Sequence, residues 1–423
     1  MHADSFHRLM KMLVDSGEVA TIDEAIITFS GYGVCLTLGE DVAQDSGLQI
    51  MALTVINTAA RSFQGNVHIV GDLSLTLNLP GFEGSTLASF VEWAGVNAAC
   101  IPTEAWPEIR VGRCPGPICR TSLEPWAAGW SFGIGPAPAS RHEVFAPACI
   151  AAASLAVSEA FSLLRSDNPY AGRRPLAMSL WSMKADAAQP PENVGSAVGG
   201  DLWVVGLGHL GQAYCWTLSM MKRSSFTRLV LQDIDIITQS TLTTSVLSSP
   251  NDIGSKKTRT VAYWMEARGF DTRIVERRFD ANTRLAAGEP TTALFGVDNP
   301  SARRVCEGAG FSLVLDAGLG SGHRDFRALR VRGFPGASSA SRVWASDDLG
   351  ALPQLAPAYL ELLQSGRDPC GITTLATRSV GASFVGCYAA AILLAELVRR
   401  QAGALAHSVI DVSLRAPDRL EVA

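Results

Sequence analysis

Short apolar runs alternate with longer amphipathic stretches along the second half of the chain. Runs of this length are typical of buried strands, and the longer stretches have the 3.6-residue period of helices. Strands are predicted at 202–206, 228–233, 273–276, 292–297, 312–316 and 327–333. Helices are predicted at 209–222, 255–268, 301–309, 354–365 and 384–401. This alternation predicts an α/β fold, in which a mostly parallel sheet is covered by helices on both faces.

The first half shows a related but weaker pattern. Two short helical stretches end at about Ile27, and strands are then predicted at 33–39, 66–71, 108–112 and 129–134, with a helix at about 47–63. A long helix at 145–161, FAPACIAAASLAVSEAF, resembles FVGCYAAAILLAELV at 384–398 in the order of its Phe, Cys, three Ala and Glu residues. This similarity indicates an internal repeat, although two small-residue helices could also have converged.

A proline- and glycine-bearing stretch separates the two halves. Residues 184–200, KADAAQPPENVGSAVGG, are small and polar, which is typical of a linker. We therefore predict one domain at 1–183 and a second at 201–423.

Composition narrows the class of protein. The chain has 423 residues, 47% of them apolar, and a formal net charge of −5, which argues against a general nucleic-acid binder. Nine irregularly spaced cysteines without a C-x-x-C pair indicate neither a disulfide framework nor a zinc site. The most membrane-like segment, Ser379–Val398, contains Glu396 and is better interpreted as a buried helix. We expect a cytoplasmic protein that does not span or bind a membrane.

A glycine-rich turn begins the second half. In DLWVVGLGHLG, an apolar strand leads to Gly206, which allows a tight turn, and to Gly208, which lets the backbone approach a phosphate. Gly211 allows the helix to pack closely on the strand, and Asp233, at the end of the next strand, could accept hydrogen bonds from a ribose. The pattern predicts a nucleotide site, the alternative being a β–α turn without a ligand. The first half has no such turn, so if it is a repeat it is one that lost its nucleotide.

Two further motifs specify the kind of nucleotide chemistry. The segment DIDIITQSTLTTSVLSSPNDIGSKKT begins at Asp233, and VDNPSAR follows at 297–303. Over roughly Asp201 to Arg400 the sequence resembles the ThiF/MoeB/E1 superfamily of ATP-dependent activating enzymes. It is most similar to the E1-like enzymes of bacterial ubiquitin-like conjugation systems, including those linked to antiphage defence. The resemblance implies a Rossmann-like adenylation domain, preceded by a degenerate, inactive Rossmann-like domain.

The resemblance also implies roles for individual residues. Lys257 would contact the phosphates of ATP, Asp298 would hold Mg²⁺, and Asp233 would hold the ribose. Asp235 would orient its loop, and Arg303 would brace the catalytic site or pair with Asp298. The alternative role for Asp298 is a helix N-cap, which could coexist with metal binding.

Three positions depart from the family pattern. His209 replaces the second glycine of the turn, Thr244 stands where the family has a phosphate-binding arginine, and Thr241 replaces an asparagine. Either the adenylation site is weak or dead, or an arginine from residues 1–183 completes it. The candidates are Arg8, Arg61 and Arg110.

The resemblance places a nucleophilic cysteine on the chain that crosses to the last helix. Cys370 lies in RDPCGITTLA, where neighbouring arginines would favour a reactive thiolate and Pro369 and Gly371 predict a loop. The alternative is a structural cysteine in a Pro–Gly turn. Cys306 and Cys387 lie on apolar helical faces and are predicted to belong to the core.

These residues together predict an E1-like enzyme that uses ATP and Mg²⁺. It would adenylate the C-terminal glycine of a ubiquitin-like protein, capture it as a thioester on Cys370 and pass it to an E2-like partner. The alternatives are a ThiF/MoeB-type sulfur-carrier or peptide adenylyltransferase, a nicotinamide-dependent oxidoreductase and a pseudoenzyme scaffold. The sequence does not specify the carrier, the final target or the oligomeric state.

Overall fold

The computed structural model describes residues 6–118, 120–139, 142–224, 227–345, 355–364 and 369–423. Its helices are α1 (Lys11–Asp15), α2 (Ile22–Ser30), α3 (Ser46–Ser62), α4 (Leu87–Trp93), α5 (Ala146–Arg165), α6 (His209–Met220), α7 (Lys257–Glu266), α8 (Pro300–Arg304), α9 (Ala340–Val343), α10 (Pro357–Gln364), α11 (Pro369–Thr377) and α12 (Ser383–Gln401). Its strands are β1 (Val34–Leu38), β2 (Val67–Val70), β3 (Glu108–Val111), β4 (Ser122–Leu123), β5 (Pro125–Ala128), β6 (Ser131–Ile134), β7 (Leu176–Ser179), β8 (Leu202–Val205), β9 (Arg228–Gln232), β10 (Asp271–Val275), β11 (Thr292–Phe295), β12 (Leu313–Leu319), β13 (Ala328–Phe334), β14 (Val409–Ser413) and β15 (Glu421–Val422).

The second half forms an eight-stranded sheet in the order β10-β9-β8-β11-β12-β13-β14-β15. Strands β10 to β12 in this order are parallel, and β13, β14 and β15 pair in antiparallel fashion. The predicted α/β fold is confirmed. The chain runs from β8 outward to β10 and then returns to the other side of β8 with β11, so a crevice opens at the carboxyl ends of β8 and β11.

The first half repeats this plan on a smaller scale. A four-stranded parallel sheet has the order β2-β1-β3-β4, and a separate three-stranded antiparallel sheet has the order β5-β6-β7. As in the second half, the first strand of the parallel sheet leads into a long buried helix, here α3.

The two halves share one hydrophobic core. The two alanine-rich helices α5 and α12 pack together, and the Phe161 and Phe384 ring centroids are 6.1 Å apart. Helix α6 contacts α3 in the same core, where the Trp216 indole Nε1 donates to Thr54 Oγ1 at 3.2 Å. The Ser383 hydroxyl donates to the Thr58 carbonyl oxygen at 2.9 Å and ties the start of α12 to α3. The halves are therefore one packed body, because the small side chains of α5 and α12 let the helices approach closely.

The segment predicted as a linker lies against the first half. Gln189 donates to the Ala128 carbonyl oxygen at 2.8 Å, and its own side-chain oxygen accepts from the Trp130 amide at 2.9 Å. Further along, Ser196 and Val198 are buried.

Helix α5 is long and apolar enough to cross a membrane, judged by length and composition alone. In the fold, 89% of its most apolar 18-residue window is buried inside the protein. It is therefore interpreted as a core helix. Helix α12 is also buried, and Glu396 inside it accepts from Arg400 Nε at 2.7 Å, which confirms the interpretation of that segment as a buried helix.

Candidate active site

The glycine-rich turn after β8 has the geometry that its sequence predicts. Gly206 has a φ of +83°, and an added Cβ would lie 2.8 Å from a methyl group of Val297. A Cβ at Gly211 would lie 1.8 Å from the Gly206 carbonyl oxygen, so the start of α6 can approach β8 only with glycine there. Gly208 is the N-cap of α6 and provides no side-chain cap, which leaves amide donors at the helix N-terminus.

Asp233 connects this turn to the end of β9. Its Oδ2 accepts from the Leu207 amide at 2.6 Å, and its Oδ1 accepts from the Asp235 amide at 2.8 Å. Each carboxylate oxygen has a further lone pair, so the group can still accept from a ligand hydroxyl. Asp233 therefore fixes the turn and also faces the crevice.

Lys257 is the first residue of α7 and reaches back to the same loop. Its Nζ donates to Asp235 Oδ2 at 2.9 Å, and its amide donates to the Asp235 carbonyl oxygen at 3.1 Å. A Cβ at Gly208 would lie 4.0 Å from this ammonium group. The adjacent Lys256 instead donates to the Ile234 carbonyl oxygen, so the two lysines have different hydrogen-bond partners.

Asp298 follows β11 on the opposite side of the crevice and is exposed. The cap of α8 is made by Asn299, whose side-chain oxygen accepts from the Ser301 amide at 2.8 Å. The alternative role of Asp298 as a helix cap is therefore wrong. Among the described residues, no side-chain hydrogen bond or ion pair with the Asp298 carboxylate is found.

Arg303 pairs with Asp316 and not with Asp298. Its Nε lies 2.9 Å from Asp316 Oδ1, and its NH2 donates to the Ala317 carbonyl oxygen at 2.8 Å. Burial raises the pKa of Asp316 to about 6, while the Arg303 charge acts in the opposite direction. Of the two predicted roles for Arg303, the structure favours the bracing one.

These groups surround a cavity of about 400 Å³ at the carboxyl ends of the parallel strands. Its cationic lining residues are Arg8, Lys257, Arg277, Arg278 and Arg303, and its carboxylates are Asp233, Asp235 and Asp298. Arg277 and Arg278 were missed from the sequence. The available signal was the segment ERRF directly after β10, because the carboxyl end of a parallel strand is where ligands bind.

Of the three candidate arginines from the first half, only Arg8 lines this cavity. The Arg61 NH1 group donates to the Leu242 carbonyl oxygen at 2.9 Å, and Arg110 donates to the loop carbonyl oxygens of Cys114, Pro115 and Gly116. Burial lowers the pKa of Arg8, and the Asp298 carboxylate acts in the opposite direction.

The surroundings of Thr244 explain how Arg8 reaches the cavity. Thr244 is buried, and an added Cβ at Gly381 would lie 3.2 Å from the Thr244 methyl group and 3.7 Å from the Arg8 guanidinium carbon. A short side chain at 244 and a glycine at 381 thus leave space beside the position where the family has its arginine. The guanidinium of Arg8 lies in that space.

His209, another departure from the family pattern, is accommodated by a second glycine. A Cβ at Gly386 of α12 would lie 2.5 Å from the imidazole Cδ2 and Nε2. Burial, together with the nearby Arg8 charge, lowers the pKa of His209 to about 3. The imidazole is therefore neutral and packs against the start of α12.

The sequence identifies the family. It matches the BilD N-terminal domain over residues 33–180 and the BilD C-terminal domain over residues 198–404. Over 420 residues it is 36% identical to the bacterial E1-like protein BilD of Collimonas sp. (strain OK412), covering 96% of this chain and 90% of that protein. The chain belongs to the BilD family. The predicted resemblance to E1-like proteins is confirmed by this relative.

The chain is also similar to solved structures, at lower identity. E. coli MccB with ATP is 12% identical, with 71% of this chain and 94% of that chain covered and a TM-score of 0.37. PaaA is 14% identical, with 53% and 63% covered and a TM-score of 0.37. Likeness at this level carries no information about substrates.

The first half differs from the second where a nucleotide would lie. The N-terminus of α3 is capped by Asp45, whose Oδ1 accepts from the Gly47 amide at 2.8 Å and from the Leu48 amide at 3.1 Å. A carboxylate of the chain itself thus occupies the amides that are uncapped in α6. These two amides are therefore not free to bind a phosphate.

The prediction of a loop around Cys370 is wrong. Residues Pro369–Thr377 are helical, so Cys370 lies in a helix and not in a loop. The side chain of Cys370 lies outside the described part of the structure, so its role as nucleophile stays a prediction. Burial raises the pKa of both Cys306 and Cys387 to about 12, and their assignment to the core is confirmed.

Proposed function

We propose that the chain activates the C-terminal glycine of a ubiquitin-like protein with ATP. The observation that carries the proposal is the convergence of Asp233, Lys257 and Asp298 with Arg8 around one cavity. A ribose acceptor, a phosphate cation and a carboxylate suited to Mg²⁺ are the groups that adenylation requires. Membership of an E1-like family supports the same class of reaction.

The glycine-rich turn and Asp233 would bind the nucleotide. The uncapped amides at the start of α6 would face the phosphates, and Gly208 would let them approach closely. Asp233 would accept from ribose hydroxyls while it continues to hold the amides of Leu207 and Asp235.

The cations would stabilise the transition state. A carboxylate oxygen of the terminal glycine attacks the α-phosphorus of ATP, the bond to the bridging oxygen breaks, and pyrophosphate leaves with the electron pair. Lys257 and Arg8 would stabilise the charge that develops on the phosphates, and Arg277 and Arg278 at the rim would bind pyrophosphate. The product is an acyl-adenylate.

Asp298 is the residue that would hold Mg²⁺. A single carboxylate is compatible with Mg²⁺, because this ion is usually bound by one or two carboxylates together with substrate phosphates. When bound, the ion supplies charge neutralisation on the phosphates.

The second step would transfer the acyl group to Cys370. The thiolate attacks the activated carbonyl carbon, the bond to the phosphate oxygen breaks, and AMP leaves, so the carrier becomes a thioester. An E2-like cysteine enzyme would then receive the carrier by exchange between thiols.

Two alternatives remain, and each predicts a different experimental result. A sulfur-carrier or peptide adenylyltransferase would share the adenylation step and differ in the partner that supports it. A pseudoenzyme scaffold would retain the cavity without turnover. Threonine at position 244, where the family has an arginine, is the feature that favours this alternative. A nicotinamide-dependent oxidoreductase would have no need for Lys257 and Arg8 at the phosphates.

Exchange of labelled pyrophosphate into ATP tests the proposal. The chain is mixed with ATP, Mg²⁺ and a ubiquitin-like protein that ends in glycine, and exchange is expected only with the intact carrier. A carrier without its terminal glycine is the matched control. Exchange with a sulfur carrier alone would favour the first alternative, and nucleotide binding without any exchange would favour the scaffold. Calorimetry that gives tight NAD binding and no ATP binding would contradict the nucleotide assignment.

A further inference from the structure

A second cavity, of about 340 Å³, lies where the first half meets the far end of α7. Its walls are mostly aromatic, and serine hydroxyls lie at its edge. We call it the aromatic groove and define it by Phe82, Phe90, Trp93, Tyr263, Trp264 and Arg268. It is separate from the nucleotide cavity and shares none of its lining residues.

The rings of the groove form a continuous set. Trp93 and Trp264 have centroids 5.0 Å apart, and Phe82 meets Trp264 edge-on at 5.9 Å with an interplanar angle of 77°. Tyr263 on the rim is 79% exposed. An open aromatic wall of this kind is typical of surfaces that bind a ligand or partner.

Arg268 is the unusual residue of the groove. It is only 5% exposed, and its guanidinium carbon lies 3.5 Å from the Trp264 ring centroid and 4.4 Å from that of Phe82. One nitrogen, NH1, donates to the Trp264 carbonyl oxygen at 3.0 Å. Among the described residues Arg268 has no ion-pair partner, and the carboxylate that acts on it through space, Glu83, is exposed. Burial lowers the pKa of Arg268 to about 10.

Two buried donors in the groove have no acceptor in the described part of the chain. They are Arg268 Nε and the Trp264 indole Nε1. A buried charge is ordinarily paired, and a buried donor is ordinarily bonded, because the loss of hydration is otherwise uncompensated. Asp252, a carboxylate among the lining residues, accepts from the Ser249 amide and hydroxyl through its Oδ2, at 2.7 Å in each case. The two donors therefore have no acceptor in the described chain, and a carboxylate brought by a ligand would provide one.

The first half holds Arg268 in this position. Gly81 has a φ of +72°, and an added Cβ would lie 2.3 Å from Arg268 Cγ, so the arginine stem packs directly under the backbone of this loop. A role of Arg268 as a cap at the C-terminus of α7 would explain the hydrogen bond from NH1. It would not explain the stacking of the guanidinium on the rings or the burial of Nε.

We propose that the aromatic groove docks an acidic, aromatic-bearing peptide segment of a partner protein. Charge complementarity favours an acidic segment, because the groove holds a buried cation and two of its buried donors lack an acceptor. Its size accommodates about one large side chain and an adjacent carboxylate. The aromatic walls then provide stacking surface for the anchor, with Tyr263 closing over the flanking backbone. This interaction goes beyond the proposed adenylation and does not depend on it.

Helix α7 connects this surface with the nucleotide cavity. Lys257 begins the helix at the cavity, whereas Trp264 lies near its end in the groove. A docked partner would therefore contact the same rigid helix that provides the phosphate-binding lysine.

Peptide binding to the full-length chain tests the proposal. The probes are fluorescein-labelled octapeptides, one with a central Glu-Trp-Asp in a Gly/Ser background and one with Gln-Trp-Asn in its place. Fluorescence anisotropy is expected to give binding of the acidic peptide and at least about ten-fold weaker binding of the amide peptide. Arg268→Met and Trp264→Phe are each expected to weaken the acidic peptide about ten-fold or more, whereas Arg174→Gln, which removes an arginine beside Tyr170 elsewhere, should not.

Thermal unfolding separates binding from a structural role. Arg268→Met replaces an unpaired buried charge with an apolar chain, so the variant should be at least as stable as the native protein. If it fails to fold, Trp264→Phe, which keeps the ring and removes the donor, provides the test. The proposal is overturned if neither peptide binds, if both bind equally, or if both variants bind like the native chain. Equal affinity for free N-acetyltryptophan would overturn it in favour of a small-molecule site.

Discussion

The guanidinium of Arg8 donates from both Nε and NH2 to the carbonyl oxygen of Ser379, at 3.2 Å in each case. These residues are 371 positions apart, and the contact joins the N-terminal segment to the chain just before α12. Both residues also line the nucleotide cavity. The first half thus contributes a cation to the site of the second half.

We predict that Arg8→Ala reduces carrier-dependent pyrophosphate exchange by about 10²–10³, since one preorganised charge contact is lost. Arg8→Lys should recover part of the rate, because it keeps the charge but not the planar donors. Steady-state exchange assays on the full-length variants measure both effects.

Arg113→Ala is the control for this prediction. The Arg113 side chain is 83% exposed and pairs with Asp41, and neither residue lines the cavity. The exchange rate of this variant should therefore stay within about two-fold of the native value, which is about the noise of such a comparison. Native activity in Arg8→Ala would show that no arginine of the first half completes the site. Deletion of the first half is not an equivalent test, because it would uncover α12.

We predict that Lys257→Ala and Asp298→Asn each abolish exchange while the fold is retained. The lysine provides the phosphate cation and the aspartate the metal ligand, and each loss corresponds to about 3–4 kcal/mol. Circular dichroism checks the fold, and exchange at increasing Mg²⁺ should partly rescue Asp298→Asn but not Lys257→Ala.

Lys222→Ala removes an exposed lysine that pairs with Glu143, and it serves as the matched control. Its exchange rate should equal that of the native chain. Normal exchange in either site variant would remove that residue from the proposed machinery.

We predict that Cys370→Ala still forms the adenylate but not a thiol-sensitive adduct with the carrier. The two steps depend on different groups, since adenylation needs the charges around the cavity and thioester formation needs a thiolate. A non-reducing gel of carrier, ATP and variant measures the adduct, and pyrophosphate exchange measures the adenylate. Cys100→Ser, at a partly exposed cysteine of the first half, should leave both intact. An adduct that persists in Cys370→Ala would point to another acceptor.

We predict that the free energy of unfolding falls as the pH drops from 7 to 5, and that His7 is one cause. The His7 Nδ1 accepts from the Leu9 amide at 3.2 Å, and its Nε2 lies 2.7 Å from the Arg61 carbonyl oxygen, an arrangement that requires a neutral ring. Burial lowers the pKa of His7 to about 4, while the hydrogen bond to Arg61 acts in the opposite direction.

The direction follows from proton binding. Between pH 6.5 and 4 the unfolded chain binds a proton at this histidine and the folded chain does not, so stability is present above pH 6.5 and is lost as the pH falls. At pH 5 the loss is about 2 kcal/mol. Urea unfolding of His7→Gln should show a pH dependence weaker by about this amount, whereas substitution of the exposed His142 should not. Equal slopes for His7→Gln and the native chain would refute the assignment.

Local sequence patterns predicted most of the second half. The strands and helices predicted between 202 and 401 lie near their expected positions. Apolar runs and 3.6-residue periods in a sequence reflect which side chains are buried, and burial is what fixes these elements. The small strands β14 and β15 were missed, since two to five residues at the edge of a sheet have no distinctive period. Helix α11 was missed because Pro369 and Gly371 are typical of turns, yet both lie in a helix here.

The cavity was less predictable than the elements around it. The spacing of the motifs predicted that Asp233, Lys257 and Asp298 lie at one site. The choice of Arg8 over Arg61 and Arg110 depends on tertiary contacts, which no local pattern contains. The partner of Arg303 was uncertain for the same reason. Its ion pair with Asp316 follows from the register of β12 beside β11, which the sequence alone does not specify.

The contact between α5 and α12 also has a consequence for biosynthesis. During translation the N-terminal half leaves the ribosome first, so α5 is already available when the alanine-rich α12 emerges near the end of the chain. The surface of α5 that buries α12 is therefore synthesised before α12 itself. The first half thus provides a surface on which α12 can be buried as soon as it is synthesised.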